Sequence, residues 1–209
     1  VNPNLSYTAD PLYWREILGI SNRKLIVYTG SLTSHQGVSN LIQAMAKVIQ
    51  RHPYTYLVIA GGSLAHERDD VPNLLQQYNL SENAKYLGML TFEEVLNLQA
   101  AANVLVAPKL DHPVNHAGFS TKLAEYLAMA KPVVVSKVGD VALYLRHGIH
   151  AMLCEPGDVD DLVLNIVLLL SDDQLANRIA RNGRLLAEEE FGISKNVERI
   201  ISTLDAVSD

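Results

Sequence analysis

The sequence NVLVAPKLDHPVNHAGFSTKLAEYLAMAKPVVVS, residues 103–136, contains two short apolar runs separated by one amphipathic segment. The runs at 103–108 and 132–136 are apolar at consecutive positions, which is typical of strands covered on both faces. Between them, Leu123 and Leu127 are spaced as on one face of a helix. The stretch therefore predicts a strand, a helix and a second strand that is parallel to the first.

The same alternation extends over most of the chain. Strand-like runs occupy residues 24–30, 54–62, 84–88, 103–108, 132–136 and 151–156. Further helical patterns occupy residues 38–49, 91–101, 140–147, 158–170, 172–190 and 194–207. Thr91 and Glu94 have the spacing of a capping box, which marks a helix start. We therefore predict an α/β fold, a doubly wound six-stranded parallel sheet, whose C-terminal helices pack across it or reach a partner domain.

The domain boundaries follow from the same pattern. Residues 1–20 are expected to be an entry or linker segment that contains a short helix near residues 12–18, and residues 21–209 to form the domain. The chain does not begin with Met, which favours a piece of a longer protein.

The composition excludes several classes of protein. With 48% hydrophobic and 19% charged residues, the 209-residue chain has an ordinary globular composition. A net charge of −6 argues against nucleic acid as the main partner. The sequence contains neither an apolar run long enough to span a bilayer nor the pattern of a secretion signal. The single cysteine, Cys154, excludes an internal disulfide and favours a reducing, cytoplasmic location.

Loops at the carboxyl ends of parallel strands form the ligand crevice in such folds, so two of them carry the functional argument. The first loop, GSLTSHQG at residues 30–37, places glycines between a strand and a helix, where free N–H groups would bind an anion. Its spacing is neither G-x-G-x-x-G nor G-x-x-x-x-G-K-[ST]. The alternative is a plain glycine turn with serine caps.

The second loop is the Gly118-Phe-Ser-Thr turn, with Ser120 or Thr121 as the helix cap. Lys122 and Glu125 are three residues apart, so they share one face of the following helix, away from its leucines. A carboxylate accepts hydrogen bonds from two hydroxyls while an ammonium and N–H groups bind phosphate. This pair suits a phosphate next to a sugar; the alternative is a surface ion pair.

The segment GFSTKLAEYLAMAKPVVVS, residues 118–136, resembles the signature of the retaining family 4 (group 1) glycosyltransferases, in the subgroup with the pattern K-x-x-E-Y-x-A-x-x-K-P-V-V. The other segments that resemble the family follow in its order, at residues 27–38, 57–62, 86–94, 104–108 and 148–162. The resemblance extends over residues 23–207.

The resemblance implies the two-domain glycosyltransferase B architecture, of which this chain would be the C-terminal, donor-binding half. The N-terminal half, which binds the acceptor, would be absent, and the isolated domain inactive. The complete enzyme would transfer a sugar from a nucleoside-diphosphate sugar with retention, in polysaccharide or glycoconjugate biosynthesis. Neither a metal nor a cofactor is implied, and any peripheral contact with a membrane would involve the absent half.

By the same resemblance, Glu125 would bind the ribose, and the backbone near Met89 and Leu90 the base. The N–H groups of Gly118, Phe119 and Ser120 would face the donor sugar or phosphates. Residues 30–37 would line the diphosphate, and Lys122 would help to neutralise it. The predicted donor-binding residues are Gly30, Ser31, Gln36, Gly37, Met89, Leu90, Asn115, Ala117, Gly118, Phe119, Ser120, Thr121, Lys122 and Glu125.

Three departures from the family pattern put the activity in question. Ala117 stands where the family has a glutamate that contacts the donor sugar, so that role is vacant or passes to Asn115 or His116. Ser31 replaces an arginine and Gln36 a lysine, and both of those cations normally meet the diphosphate.

The catalytic candidates are therefore Lys122 and His116, with Lys109 as a further cation. The alternative function is a non-catalytic nucleotide- or sugar-binding domain with a degenerate site. The motifs favour neither an oxidoreductase nor a sugar-nucleotide epimerase, and the histidines are not spaced as metal ligands.

Overall fold

The computed structural model of the chain describes residues 8–63 and 69–208. Within these residues, six strands form one sheet in which every neighbouring pair is parallel, and the order is β3-β2-β1-β4-β5-β6. The strands are β1 (Lys24–Thr29), β2 (Thr55–Ala60), β3 (Ala84–Tyr86), β4 (Val104–Ala107), β5 (Val133–Ser136) and β6 (Met152–Cys154). The predicted fold class is confirmed.

Helices cover both faces of the sheet. They are α1 (Tyr13–Ile17), α2 (Val38–Arg51), α3 (Val71–Gln77), α4 (Phe92–Ala101), α5 (Pro113–His116), α6 (Thr121–Ala128), α7 (Val141–Tyr144), α8 (Val159–Ser171), α9 (Asp173–Phe191) and α10 (Ile193–Ser208). Helices α2, α3 and α8 bury their apolar residues with one face of the sheet, and α1, α4 and α6 with the other. The chain reverses its direction of winding between β1 and β4, the position where such folds bind ligands.

The structure departs from the predicted elements in three places. Helix α3 was not predicted, although Asp70 accepts a hydrogen bond from the Asn73 N–H and so caps it. The helix predicted at residues 140–147 is only α7, because the backbone becomes extended at Leu145. The strands are also shorter than predicted, since the sequence runs include the loop residues that follow each strand.

The entry segment carries α1, which packs on α4. The indole Nε1 of Trp14 donates to the Glu94 carbonyl at 2.8 Å, and Arg15 donates to the Ala101 carbonyl at 2.7 and 3.0 Å. These bonds join α1 to both halves of α4. Residues 1–7 of the predicted segment lie outside the described residues.

None of the described helices combines the length and the apolar character that crossing a bilayer requires.

Candidate functional site

A crevice of about 360 Å³ opens at the carboxyl ends of β1 and β2, a size typical of small-molecule sites. One wall is α4 with the turn before it, and the opposite wall is the start of α6. Its lining residues are Thr29, Gly30, Ser31, Ala60, Gly61, Gly62, Met89, Leu90, Val95, Gln99, Thr121, Lys122 and Glu125.

The floor of the crevice is bare backbone. The Gly30 N–H donates to the Ala60 carbonyl at 2.9 Å, so the ends of β1 and β2 stay paired. A Cβ atom on Gly61 would lie 1.8 Å from the Gly30 carbonyl oxygen, and the φ of Gly61 is +138°. Both constraints require glycine at this position. A ligand therefore meets main chain below and side chains of α4 and α6 at the sides.

Glu125 lies on the crevice side of α6. Its neighbours Leu123 and Leu127 are buried in the core, as the helical spacing predicts. The carboxylate is half-buried, and burial raises its pKa while the charge of Lys122 opposes that shift. Among the residues that the structure describes, none donates a hydrogen bond to it. A desolvated carboxylate without a donor is therefore free to accept hydroxyl hydrogen bonds from a ligand.

Lys122 extends from α6 to the end of β1. Its Nζ donates to the Tyr28 hydroxyl at 3.2 Å and lies 4.4 Å from the centre of that ring. Gly30 leaves the space, because a Cβ atom there would be 1.9 Å from Nζ. Burial, together with the nearby charge of Lys109, lowers the pKa of Lys122 to about 7, while the charge of Glu125 opposes that shift. Because this ammonium is poorly solvated, an anion bound in the crevice would stabilise its charged form.

The turn before α6 leaves a row of main-chain donors free. Ser120 is the N-cap residue, but its side chain makes no capping bond, which corrects part of the prediction. The N–H groups of residues 118–122 donate to nothing among the described residues. The first N–H groups of a helix carry partial positive charge. Together with Lys122, they make this side of the crevice suitable for an anion.

The loop after β1 differs from the expectation that it is an open anion site. The N–H groups of Leu32, Gln36 and Gly37 donate to main-chain carbonyls. At the start of α2, the Ser39 N–H donates to the Asp69 carboxylate at 3.1 Å. Gly30 and Ser31 line the crevice, whereas Gln36 and Gly37 do not.

Other predicted residues lie outside the crevice lining. Asn115 is buried, and its amide donates to the carbonyls of His35 and Leu110, both at 2.8 Å. His116 is exposed and contacts Asp111 at 2.5 Å, and Ala117 is exposed beside it. The structure therefore gives Asn115 a role in holding two loops together.

The turn that carries the free N–H groups is fixed by aromatic packing. Phe119 stacks on Phe191 with ring centres 4.4 Å apart, and Tyr144 contacts both rings edge-on. Phe119, Gly118 and Ser120 do not line the crevice itself.

The sequence analysis missed Gln99, Val95 and the glycine pair Gly61 and Gly62. Val95 and Gln99 lie one turn apart on α4, on the side facing the crevice. Gln99 is only 1% exposed, and its Oε1 has no hydrogen-bond partner among the described residues. A glutamine in the middle of an otherwise apolar helix end, LQAAA, was the available signal.

The other polar candidates have structural roles. Asp158 caps α8 by accepting from the Asp160 and Asp161 N–H groups. Cys154 is buried, and burial raises the pKa of its thiol to about 12. Across the described residues, no three His, Cys, Asp or Glu side chains come close enough to hold a metal ion.

Comparisons with known proteins agree on one family. Residues 13–186 match the family model described as "Glycosyl transferases group 1". An uncharacterized glycosyltransferase of Methanocaldococcus jannaschii is 26% identical over 189 residues, which are 90% of this chain and 46% of that protein. The chain spans about half the length of the curated relatives it matches.

Solved structures share the fold. Anabaena HepE in complex with UDP superposes with a TM-score of 0.87 and 23% identity, covering 99% of this chain and 56% of that one. The C-terminal domain of a group 1 glycosyl transferase from Francisella tularensis gives a TM-score of 0.78 and 19% identity, covering 92% of this chain and 99% of that one.

Proposed function

The chain belongs to the glycosyl transferases of group 1, and we propose that it is the part of such an enzyme that binds the donor, a nucleoside-diphosphate sugar. One observation carries the proposal. Three groups lie together at the start of α6: the half-buried Glu125 carboxylate, the poorly solvated Lys122 ammonium and a row of N–H groups. Within the described part of the chain, nothing donates to the carboxylate and nothing accepts from the N–H groups. Hydroxyls and phosphates joined in one molecule satisfy all three.

The ribose lies on Glu125 in this proposal. The two carboxylate oxygens accept hydrogen bonds from the 2′- and 3′-hydroxyls. In the free chain, no described residue donates a hydrogen bond to these oxygens. Binding supplies this half-buried carboxylate with the donors that the described residues do not provide.

The diphosphate lies between the Lys122 ammonium and the N–H groups at the start of α6, where Thr121 and Lys122 line the crevice. These groups replace the two family cations that are absent at Ser31 and Gln36. Because they supply positive charge where the leaving group departs, we propose metal-independent catalysis by positioning and electrostatic stabilisation. Transfer with retention follows from the family resemblance.

The base lies between Met89, Leu90 and Val95, against the end of β2. Ala60, Leu90 and Val95 make this part of the crevice apolar, which suits a planar ring. UDP is the first nucleotide to test, since the Anabaena relative of the same fold was solved with it.

The acceptor half is proposed to come from the rest of a longer protein, because the chain spans about half of its curated relatives. By this proposal the chain alone binds donor and transfers nothing. A cytoplasmic location remains part of the proposal.

Calorimetric titration and thermal melting with UDP, GDP, ADP and NAD test the proposal. We expect one nucleoside diphosphate to bind and to raise the melting temperature. Glu125→Ala should weaken that binding roughly thirtyfold, because the ribose hydroxyls lose charged acceptors. Glu198→Ala, an exposed glutamate on α10, is the matched control and should bind as the wild type does.

A response to NAD alone would point to a dinucleotide-binding domain instead. Equal nucleotide binding by the wild type and Glu125→Ala would remove the ribose contact on which the assignment rests.

A non-catalytic donor-binding domain is the second candidate. It is favoured by the closed loop after β1 and by Ala117, whose methyl group replaces an acidic side chain. Both candidates predict nucleotide binding, so the decisive measurement is hydrolysis or transfer of the donor sugar by the longest natural form of the protein. Turnover supports the enzyme; binding without turnover supports the second candidate.

A further inference from the structure

Gln99 ends a buried chain of hydrogen bonds that leads from the core to the crevice. Its Nε2 donates to the Thr29 hydroxyl at 3.1 Å, and that hydroxyl lies 3.1 Å from the Tyr126 hydroxyl. The Tyr126 hydroxyl in turn accepts from the Thr29 N–H at 2.8 Å. Because Nε2 is engaged on the core side, the carboxamide plane is fixed.

The other end of this carboxamide has no partner. Gln99 is 1% exposed, and its Oε1 accepts no hydrogen bond from the described residues. Buried carbonyl oxygens without a donor cost free energy, so natural structures rarely keep them without a reason. Gln99 also lines the crevice, one helical turn below Val95. The crevice therefore contains a second acceptor besides Glu125.

The chemistry of a nucleotide limits what can meet this acceptor. Ionised phosphates carry no donor and would repel a carbonyl oxygen. The two ribose hydroxyls are matched by the two oxygens of Glu125. The hydroxyls of the transferred sugar lie beyond the diphosphate, whereas Gln99 adjoins Val95 on the side of the crevice assigned to the base. The remaining donors on that side are the N–H groups on the edge of the base.

We propose that the carboxamide oxygen of Gln99 accepts a hydrogen bond from an N–H group of the nucleotide base, which makes Gln99 a base-binding residue of this crevice. The inference rests on the proposed donor-binding function. The apolar surfaces of Leu90 and Val95 contact the faces of the ring, and Gln99 accepts a hydrogen bond from its edge. Thr29 and Tyr126 orient Gln99 through the hydrogen bonds described above.

The test combines a change in the protein with a change in the ligand. The ligands are UDP, 3-methyl-UDP, in which the base N–H is replaced, and 2′-deoxy-UDP. If GDP binds better than UDP, the three ligands are instead GDP, 1-methyl-GDP and 2′-deoxy-GDP. Calorimetry gives the dissociation constant of each for the wild type, Gln99→Met and Gln99→Glu. Gln77→Met, an exposed glutamine on α3, is the matched control.

We expect methylation of the base to weaken binding to the wild type and to Gln77→Met roughly tenfold, since a buried acceptor loses its donor. Gln99→Met should bind UDP roughly tenfold more weakly and should no longer discriminate against the methylated base. Gln99→Glu keeps an acceptor and should therefore keep the discrimination against the methylated base. This variant also tests the inference if Gln99→Met does not fold.

Two results would overturn the inference. One is an unchanged methyl penalty in Gln99→Met; the other is a penalty for 2′-deoxy-UDP that disappears in that variant, which would assign Gln99 to the ribose. If no nucleoside diphosphate binds the wild type at all, the proposed function fails first, so the two failures are distinguishable.

Discussion

The loops after β1 and β4 flank the same boundary of the sheet, and both resemble anion sites in sequence, yet only one of them is open. After β1, main-chain carbonyls accept from four N–H groups of the loop, those of Gly30, Leu32, Gln36 and Gly37. Asp69 accepts from Ser39 at the start of α2. After β4, the N–H groups of residues 118–122 have no acceptor within residues 8–63 and 69–208, and the Lys122 ammonium lies near them on α6.

A glycine-rich turn before a helix is therefore not sufficient for anion binding. What matters is whether another part of the chain already satisfies the donors. In the β1 loop a carboxylate from a distant segment does so; in the β4 loop no described side chain does, and even Ser120 leaves the helix uncapped.

Lys122→Met should have the largest effect, because it removes the cation from the open side. We expect UDP-glucose to bind roughly ten- to a hundredfold more weakly, as charge-assisted hydrogen bonds to phosphate are lost. The melting temperature of the free variant should not fall, since the lowered pKa of Lys122 means that its charge is poorly solvated in the folded state. Calorimetry and thermal melting measure the two quantities. Lys85→Met, at an exposed position, is the control. If the two variants bound UDP-glucose equally well, the β4 side would not be the anion site.

The affinity for UDP-glucose should fall about tenfold between pH 6 and pH 8. With a pKa of about 7, Lys122 is mostly protonated at the lower pH and mostly neutral at the higher one, and the protonated form binds diphosphate. Of the charges that face it, Lys109 favours the neutral form and Glu125 the protonated form. The raised pKa of Glu125 acts in the opposite sense and weakens ribose binding at acid pH. Calorimetry in several buffers should show proton uptake on binding, and a pH-independent affinity in the wild type would contradict the prediction.

Thr121→Pro should weaken UDP-glucose binding about fivefold, because it removes one free N–H group. Proline is tolerated at the first position of a helix, and the extended backbone of Ser120, with φ −77° and ψ 120°, allows it to follow. Phe92→Pro is the control, since it occupies the same position of α4, where Thr91 and Glu94 form the capping box. Thr121→Ala accounts for the lost hydroxyl. If both proline variants bind alike, the free N–H groups are not used.

Asp69→Asn should have the smallest effect, a change in UDP-glucose affinity of less than about twofold. The amide oxygen still accepts from the Ser39 N–H, and only the negative charge at the start of α2 is lost. If the diphosphate were bound at α2 instead of α6, removal of this charge would raise the affinity several-fold. A titration of the variant beside the wild type separates the two sites.

Most of the fold could be predicted from local patterns. Consecutive apolar residues marked all six strands, and the capping box at Thr91 was found where the sequence placed it. Helix α3 was not predicted because its seven residues include proline, asparagine and two glutamines. The helix is stabilised instead by the tertiary packing of Val71 and Leu75.

The site was only partly predictable. Glu125 and Lys122 share a helical face, and spacing alone places them together. The contact of Ser39 with Asp69 joins residues 30 positions apart, and the bond of Gln99 to Thr29 spans 70, so neither follows from local sequence. Such pairings depend on which loops the sheet order brings together.

The bare backbone at Gly30 and Gly61 leaves the strand ends with no side chain to vary. A change of ligand preference in this chain would therefore arise mainly on α4, on α6 or in the Met89-Leu90 turn, while the glycine backbone at the strand ends stays constant. Diversification, whether natural or in a laboratory library, can be confined to those surfaces without disturbing the framework below them.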